Sequence, residues 1–325
     1  MRVENYTPSN GLALWLAPLA GITIPPVRLF FSRLGAKITH TEMVSASGLL
    51  YKNKKTNSML KVLPGESPVV LQLFAGDADS LVQAAEFALS FSDMNMKQCG
   101  AASYFAFGIN MACPMPKVLK RGAGARLLEN PETAFLMVEK LKKVGLPVWV
   151  KIRKTPQKNG LTTYQFIEGL LEAGADNICL HGRTPAQRYE GVADKQIVCD
   201  MARSFPGKIS GSGDIYTHED AKIYFDAGCV GVMAARGALA NPFIFRKDPS
   251  YPPAEEQIAL LQQLGRDVNS WAGPRIAVVM VKRLLAGMLK GMYGSGVFRR
   301  VIARELDYDK IEILLTLELM SRNLQ

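Results

Sequence analysis

Short runs of apolar and β-branched residues recur along the chain at intervals of about 20–45 residues, with helix-spaced apolar positions between most of them. The runs are 14–17, 37–41, 69–74, 105–110, 148–152, 177–181, 208–212 and 230–234. Several helix starts are marked. Asn130, Pro131 and Glu132 read as a cap, a proline at the first helical position and an acid that suits the helix dipole. Thr217, His218, Glu219 and Asp220 read the same way. "EAGAD" (172–176) and "DAGCV" (226–230) read as helix ends closing on glycine before the next strand. Alternating strands and helices predict a parallel sheet, and eight repeats predict an α/β fold of the (β/α)8 TIM-barrel type. An open doubly wound sheet is the structural alternative.

The periodicity changes near "KDPSYPPAEEQ" (247–257), a proline-rich break followed by helical spacing with little strand signal. The 325 residues fit two domains at roughly 100–200 residues each, although a single barrel alone uses about 250. The expected division is a barrel over 1–246 and a small all-α helical domain over 247–325.

In a barrel of this kind the chemistry sits at the C-terminal ends of the strands. Read in register, those ends carry Glu42, Gln72, Asn110 with Cys113, Lys151 with Arg153, His181 with Arg183, Ser212 with Asp214, and Ala235 with Arg236. Each has a plain structural explanation when taken singly. Gln72 can cap a loop, His181 can be a satisfied core histidine, and Lys151 can snorkel outward. Together they describe a polar pocket. "SGSGDI" (210–215) after the seventh strand and "AARGALANP" (234–242) after the eighth expose backbone N–H groups where barrels often bind phosphate. Neither is a G-x-G-x-x-G after a first strand, so a Rossmann dinucleotide site is disfavoured.

Composition narrows the picture. The chain is 48% apolar and 21% charged, enough to bury a core. Its five cysteines are scattered without a CxxC pair and its histidines number three. That pattern argues against a disulfide framework or a metal centre and for a reducing, cytoplasmic setting. No signal peptide is expected, and the apolar stretch 12–27 is broken by Pro18, Gly21, Pro25 and Pro26, so no membrane span is expected there either. Net charge is +10, and four stretches hold bases without a single acid: 43–65, 94–128, 140–167 and 268–304. Solvated faces explain one such run. Four point to a polyanionic partner.

"LAPLAGIT", "TEMVSASGL", "VVLQLFAG", "NMACPMPKVLKRGAGARLL", "VKIR", "HGRTPAQRYEG", "GSGDI" and "MAARGALANPFIF" follow one another in order. On these stretches the chain resembles the tRNA-dihydrouridine synthases, flavin enzymes that reduce uridines in tRNA. The resemblance is strong over 10–246 and weak over the helical tail. It implies FMN held by Pro18, Leu19 and Ala20 and by Gln72, Lys151 and His181. Ser212, Gly213 and Asp214, with Ala235 and Arg236, would take its phosphate. It implies Cys113 as the catalytic acid and NADPH or NADH as electron donor. Three positions depart from the family pattern: Ala112 and Ala235 stand where glycine is usual, and Ser212 where asparagine is usual.

The chemistry of the residues agrees with that implication. Hydride delivered to carbon 6 of uracil leaves enolate charge, and carbon 5 then needs a proton. A thiol, with a reference pKa of about 8.5, is protonated at neutral pH and small enough to approach a ring face. Asn110, Lys151, Arg153 and His181 can hydrogen-bond uracil oxygens or flavin, with Arg183 a further substrate contact. The alternative for Cys113, a buried inert thiol, suits Cys179 and Cys229 better. Lys117, Lys120, Arg121 and Arg126 lie just beyond Cys113, where RNA phosphates would approach a turned-out uridine. Tyr189 can stack on that base or serve as a loop anchor. In the tail, Arg275, Lys282, Arg283, Lys290, Arg299, Arg300 and Arg304 are read as an RNA grip, with Arg299 and Arg300 opening a new helix. A plain helical cap over the barrel is the alternative. Two rival functions stand: a flavin barrel that reduces a free pyrimidine or other small molecule, and an RNA-binding protein without redox chemistry. No metal is required, and a monomer is compatible with the pattern.

Overall fold

The structure, a computed structural model, describes residues 12–99, 104–156 and 160–323; the side chains of 93–99 and 323 are outside that description. The Lys97 and Cys99 side chains, and Lys158 as a whole, therefore lie outside the described residues.

Among the described residues nine parallel strands form one sheet: β1 (Leu14–Leu16), β2 (Thr39–His40), β3 (Val44–Ser45), β4 (Val69–Phe74), β5 (Ala106–Met111), β6 (Val148–Arg153), β7 (Asn177–His181), β8 (Ile209–Ser212) and β9 (Val232–Ala234). Their order is β1-β9-β8-β7-β6-β5-β4-β2. A bridge between Trp15 and Ile38 joins the two ends and closes the barrel. The ninth strand has a specific cause, a contact across the sheet. After His40 the Thr41 hydroxyl accepts from the Gln72 backbone N–H at 3.0 Å, taking the place of a ladder bond. The chain bulges and then resumes pairing with the far end of β4 as β3, Val44 opposite Leu73.

Strand alternation sorts the side chains. In β6, Val148, Val150 and Ile152 join the large apolar cluster between sheet and helices, which leaves Trp149, Lys151 and Arg153 to face the barrel axis. In β7, Ile178 and Leu180 go outward while Cys179 and His181 alternate with them. The lower interior is filled by Trp15, Val70, Ala106, Trp149, Cys179 and Met233. There Trp15 and Trp149 stack at 4.9 Å. The barrel is thus plugged below, and only its upper end is open to chemistry.

The helices begin and end where local signals demand. Asn130 caps Pro131–Lys142, and Thr217 with Asp220 forms a capping box on His218–Asp226. Gly174 and Gly228 follow the helices Thr163–Glu172 and His218–Asp226 with φ of 101° and 97°, a region costly for residues with a Cβ. After the turn Pro242–Phe245 come four helices, Ala254–Ala272, Pro274–Met288, Ser295–Arg304 and Tyr308–Asn323. Their apolar faces, with Leu261, Leu284 and Ile302, belong to the same cluster that backs the strands. Arg33 pairs with Asp267 at 3.1 Å across this junction. Helix Pro274–Met288 comes so close that a Cβ on Gly287 would lie 2.0 Å from the Leu239 carbonyl oxygen. Arg299 and Arg300 sit in the second turn of a helix that starts at Ser295, not at its opening. Among the described residues no helix is long and apolar enough to cross a membrane.

Candidate active site

The upper end of the barrel holds a cavity of about 610 Å³. Pro18, Leu19 and Ala20 line one side of it, Asn110 and Cys113 another. Lys151, Arg153 and His181 rise from β6 and β7, while Ser212, Gly213, Asp214, Ala235 and Arg236 come from the loops after β8 and β9. Tyr189 stands at the rim, 62% exposed. Gln72 and Glu42 lie behind the wall. Gln72 is 1% exposed and accepts a 2.8 Å bond from the Asn110 side-chain amide. The buried Glu42 carboxylate accepts from the Gly21 backbone N–H. Arg183 is also buried, while Lys117, Lys120 and Arg121 are exposed beyond the cysteine loop and Arg299 and Arg300 lie on the outer helix Ser295–Arg304.

The cysteine loop is clamped from both sides. Asn110 Oδ1 accepts from the backbone N–H groups of Ala112 (3.2 Å) and Cys113 (2.9 Å). The Ala125 N–H donates to the Cys113 carbonyl at 3.0 Å. Such closeness needs glycine at 124, where a Cβ would sit 2.6 Å from that carbonyl oxygen. The thiol itself is half-buried, unlike the buried Cys179, Cys199 and Cys229. Burial pushes its pKa up, against smaller opposing effects from the Met115 backbone and Arg153. It is therefore a protonated thiol at neutral pH, facing a cavity.

Lys151 reaches inward and, among the described residues, donates one long hydrogen bond, to Ser212 Oγ at 3.4 Å. It makes no ion pair among the described residues, and burial lowers its pKa. Ser212, one of the departures from the family pattern, thus supplies its hydroxyl contact. His181 Nδ1 accepts from the Arg183 N–H at 3.1 Å, which leaves the ring proton on Nε2. Burial, then the nearby Lys151, Arg153 and Arg183, lower its pKa to about 2, so the ring is neutral. Arg153 joins two loops, donating to the carbonyls of Ala112 (2.9 Å), Thr184 (3.1 Å) and Arg188 (2.9 Å).

Asp214 organises the far wall. Arg183 grips it through Nη1 (2.9 Å) and Nη2 (2.7 Å), and Arg236 Nη2 adds a 2.7 Å contact. Burial alone would raise its pKa, but Arg183, the Ala193 N–H and Arg236 together hold it below the usual carboxylate range. Two guanidinium groups on one carboxylate leave the wall net positive. Arg236 spans to the rings of Tyr189 (5.0 Å) and Tyr216 (6.0 Å), so Tyr189 lies against a cation at the rim.

The cavity also takes in Met43, Arg188, Ile215 and Tyr216, which sequence reading did not single out. Arg188 had one available signal, a base beside Tyr189, but its left-handed backbone (φ 48°) is set by the fold. Arg283, read from sequence as an RNA contact, donates to the Gly21 carbonyl beside the Pro18–Leu19–Ala20 loop. Among the described residues no group of three or more His, Cys, Asp or Glu is placed to hold a metal ion.

The four acid-free stretches differ in how their charges are met. In 140–167, Lys140 pairs with Asp79 (2.6 Å), Lys142 with Asp176 (2.5 Å), Lys143 with Glu139 (2.9 Å) and Lys154 with Asp194 (2.7 Å). Arg126 in 94–128 pairs with Glu129. Lys52, Lys54, Lys55, Lys117, Lys120, Arg121 and the seven tail bases make no ion pair among the described residues.

The family model described as Dihydrouridine synthase (Dus) matches residues 15–323. A "Probable tRNA-dihydrouridine synthase" of Treponema pallidum (strain Nichols) is 32% identical over 245 residues, 72% of this chain and 69% of the relative. A "tRNA-dihydrouridine synthase B" of Pseudomonas aeruginosa is 29% identical over 324 residues, 95% of this chain and 92% of the relative. Another, of Pasteurella multocida (strain Pm70), is 27% identical over 311 residues, 92% of this chain and 90% of the relative.

Proposed function

This chain belongs to the dihydrouridine synthase family, and on that premise we propose that it is an FMN-dependent oxidoreductase that reduces specific uridines in tRNA to 5,6-dihydrouridine. Residues 1–246 are the catalytic unit in this reading and 247–325 a tRNA-binding helical unit. The cytoplasm, where tRNA is modified, is its place of action.

The observation that carries the reading is the clamped, protonated Cys113 sharing one cavity with an inward-facing, half-buried Lys151 that has no ion-pair partner among the described residues and an Nε2–H donor on His181. The donor set fits a flavin mononucleotide. Lys151 and His181 offer positive charge and a donor to the carbonyl and nitrogen edge of a planar ring. The wall of Gly213, Ala235 and Arg236 offers backbone approach and net positive charge to a phosphate. Gln72 stands behind the cavity wall and would act through Asn110 on the cysteine loop rather than on the ring. Bound there, a reduced flavin would supply the hydride to carbon 6 of uracil, and NADPH or NADH would return a hydride to the oxidised flavin.

The chain's own residues do the rest. Cys113 Sγ holds the proton destined for carbon 5, kept in place by burial at neutral pH. Arg153, whose charge opposes that upward shift, steadies the thiolate left behind. Because the thiol is half-buried rather than enclosed, water can restore the proton. Asn110 has both side-chain ends engaged, with Gln72 and with the cysteine loop, so its role is to aim the thiol. Tyr189, propped against Arg236, presents a ring face to the turned-out base.

The test is direct. Unmodified tRNA transcripts are incubated with the protein, FMN and NADPH, and nucleosides are analysed for dihydrouridine, with free uridine in parallel. Dihydrouridine is expected from tRNA alone. Cys113→Ala should keep its flavin and lose about 10²–10⁴-fold in turnover, the usual loss for a general acid. No dihydrouridine from any tRNA, or full activity in Cys113→Ala, would remove the reading.

A further inference from the structure

The acid-free stretch 43–65 leaves the cavity rim at Met43 and turns outward. Ser45 caps the short helix Ala46–Leu50, accepting from the Gly48 N–H at 3.2 Å. The chain then reverses through Tyr51, Lys52 and Asn53. Lys52 N–H donates to Leu49 at 2.8 Å, Asn53 N–H to Gly48 at 3.1 Å, and Lys52 takes a φ of 53°. Asn53 caps the next helix, Lys54–Ser58. The two helices touch closely, for a Cβ on Gly48 would lie 2.9 Å from Thr56 Oγ1. The turn is therefore fixed at both ends and holds its side chains outward. Tyr51 is 86% exposed, and Lys52, Lys54 and Lys55 are exposed beside it.

Arg121 joins this turn to the cysteine loop, its Nη1 donating to Ser47 Oγ (3.1 Å) and Ser45 Oγ (3.3 Å). One face thus runs from Cys113 through Lys117, Lys120 and Arg121 to the Tyr51 turn. Neither stretch that builds it contains an acid. The two acids that flank 43–65 are turned inward: Glu42 holds Gly21, and Glu66 is buried on Arg28 at 2.7 Å. No carboxylate among the described residues neutralises these six cations, in contrast to the bases of 140–167.

Resting on the proposed tRNA reaction, we infer that this face is a second RNA-docking surface, separate from the helical tail. Lys52, Lys54 and Lys55 contact backbone phosphates, and the Tyr51 ring stacks on an unpaired nucleotide. Phosphates need unpaired cations, and an exposed aromatic on a rigid turn is a platform that accepts any base. An anionic membrane would ask for an apolar stripe beside the cations, whereas the large exposed apolar residues here are Tyr51, the partly exposed Leu50 and, apart from them on the cysteine loop, Met115.

The experiment measures tRNA affinity of the full chain between about 50 and 200 mM salt, beside a thermal melt. Each phosphate contact adds about 0.7–0.9 to the slope of log affinity against log salt. Lys52→Ala/Lys54→Ala/Lys55→Ala should therefore flatten that slope by about 2–3, with melting point and NADPH-driven flavin reduction unchanged. Tyr51→Ala should weaken binding about 5–100-fold at constant slope, and Tyr51→Phe should restore it, as expected for stacking. A wild-type slope in the triple variant overturns the proposal. So does an unchanged slope accompanied by lost binding to phosphatidylserine vesicles, which would assign the face to a membrane. Failure of the wild type to form dihydrouridine removes the proposed reaction instead, and the slope still reports whether RNA docks here.

Discussion

Stretches 140–167 and 268–304 look alike in one dimension: each has seven bases and no acid. In three dimensions they part. Four cations of the first are matched by carboxylates, three of them from elsewhere in the chain, at Asp79, Asp176 and Asp194. Lys151 and Arg153 turn into the cavity. In the second stretch Arg283 holds a carbonyl of the barrel, and no base is ion-paired among the described residues. The barrel repeat explains the difference. Each helix lies between two neighbours, so an acid of one repeat can reach a lysine of the next. The helix Ser295–Arg304 is packed on one side only, with Val297 and Val301 exposed on the other. An acid-free run is a docking surface only when its neighbours in space are acid-free as well.

Variants can break or sharpen this contrast. The largest effect belongs to the inward cation of the first stretch. Lys151→Ala should weaken FMN retention about 10–100-fold, the worth of a hydrogen bond to a charged group, read as the flavin-to-protein absorbance ratio after gel filtration. Wild-type retention and wild-type flavin reduction would put Lys151 outside the flavin site.

Arg299→Ala/Arg300→Ala comes next and tests the second stretch. Two lost phosphate contacts should flatten the salt slope of tRNA binding by about 1.4–1.8, with flavin content unchanged. A wild-type slope with a lowered melting point would make these arginines braces for the tail.

Arg283→Ala should behave in the opposite sense to that pair. It removes a guanidinium from the Gly21 carbonyl, so stability should fall by about 1 kcal/mol while the salt slope holds. A flattened slope with an unchanged melting point would return Arg283 to the RNA face.

The smallest effect is expected from Lys140→Ala/Lys142→Ala. Exposed pairs contribute at most about 1 kcal/mol each, and their charge is already answered by Asp79 and Asp176. Denaturant melts should shift slightly and the salt slope not at all. A flattened slope would erase the contrast between the stretches.

What the sequence determined was what depends on neighbours along the chain. Period-two alternation in 148–152 and 177–181 set which side chains face the axis, and of the residues named at the strand ends all but Glu42, Gln72 and Arg183 line one cavity. Asn130, Thr217, Gly174 and Gly228 marked helix ends because caps and positive φ are local needs. Tertiary structure alone decided whatever joins residues tens of positions apart. Thr41 splits a strand because its hydroxyl meets Gln72. Gln72 lies behind the wall because Asn110 stands in front of it. Arg183 is spent on Asp214, and Arg283 on Gly21. Three charges of 140–167 are answered by Asp79, Asp176 and Asp194, which sequence proximity does not reveal. Backbone preference acts over a few residues, whereas an ion pair needs only closeness in space, and closeness is what the closed barrel and its packed tail create.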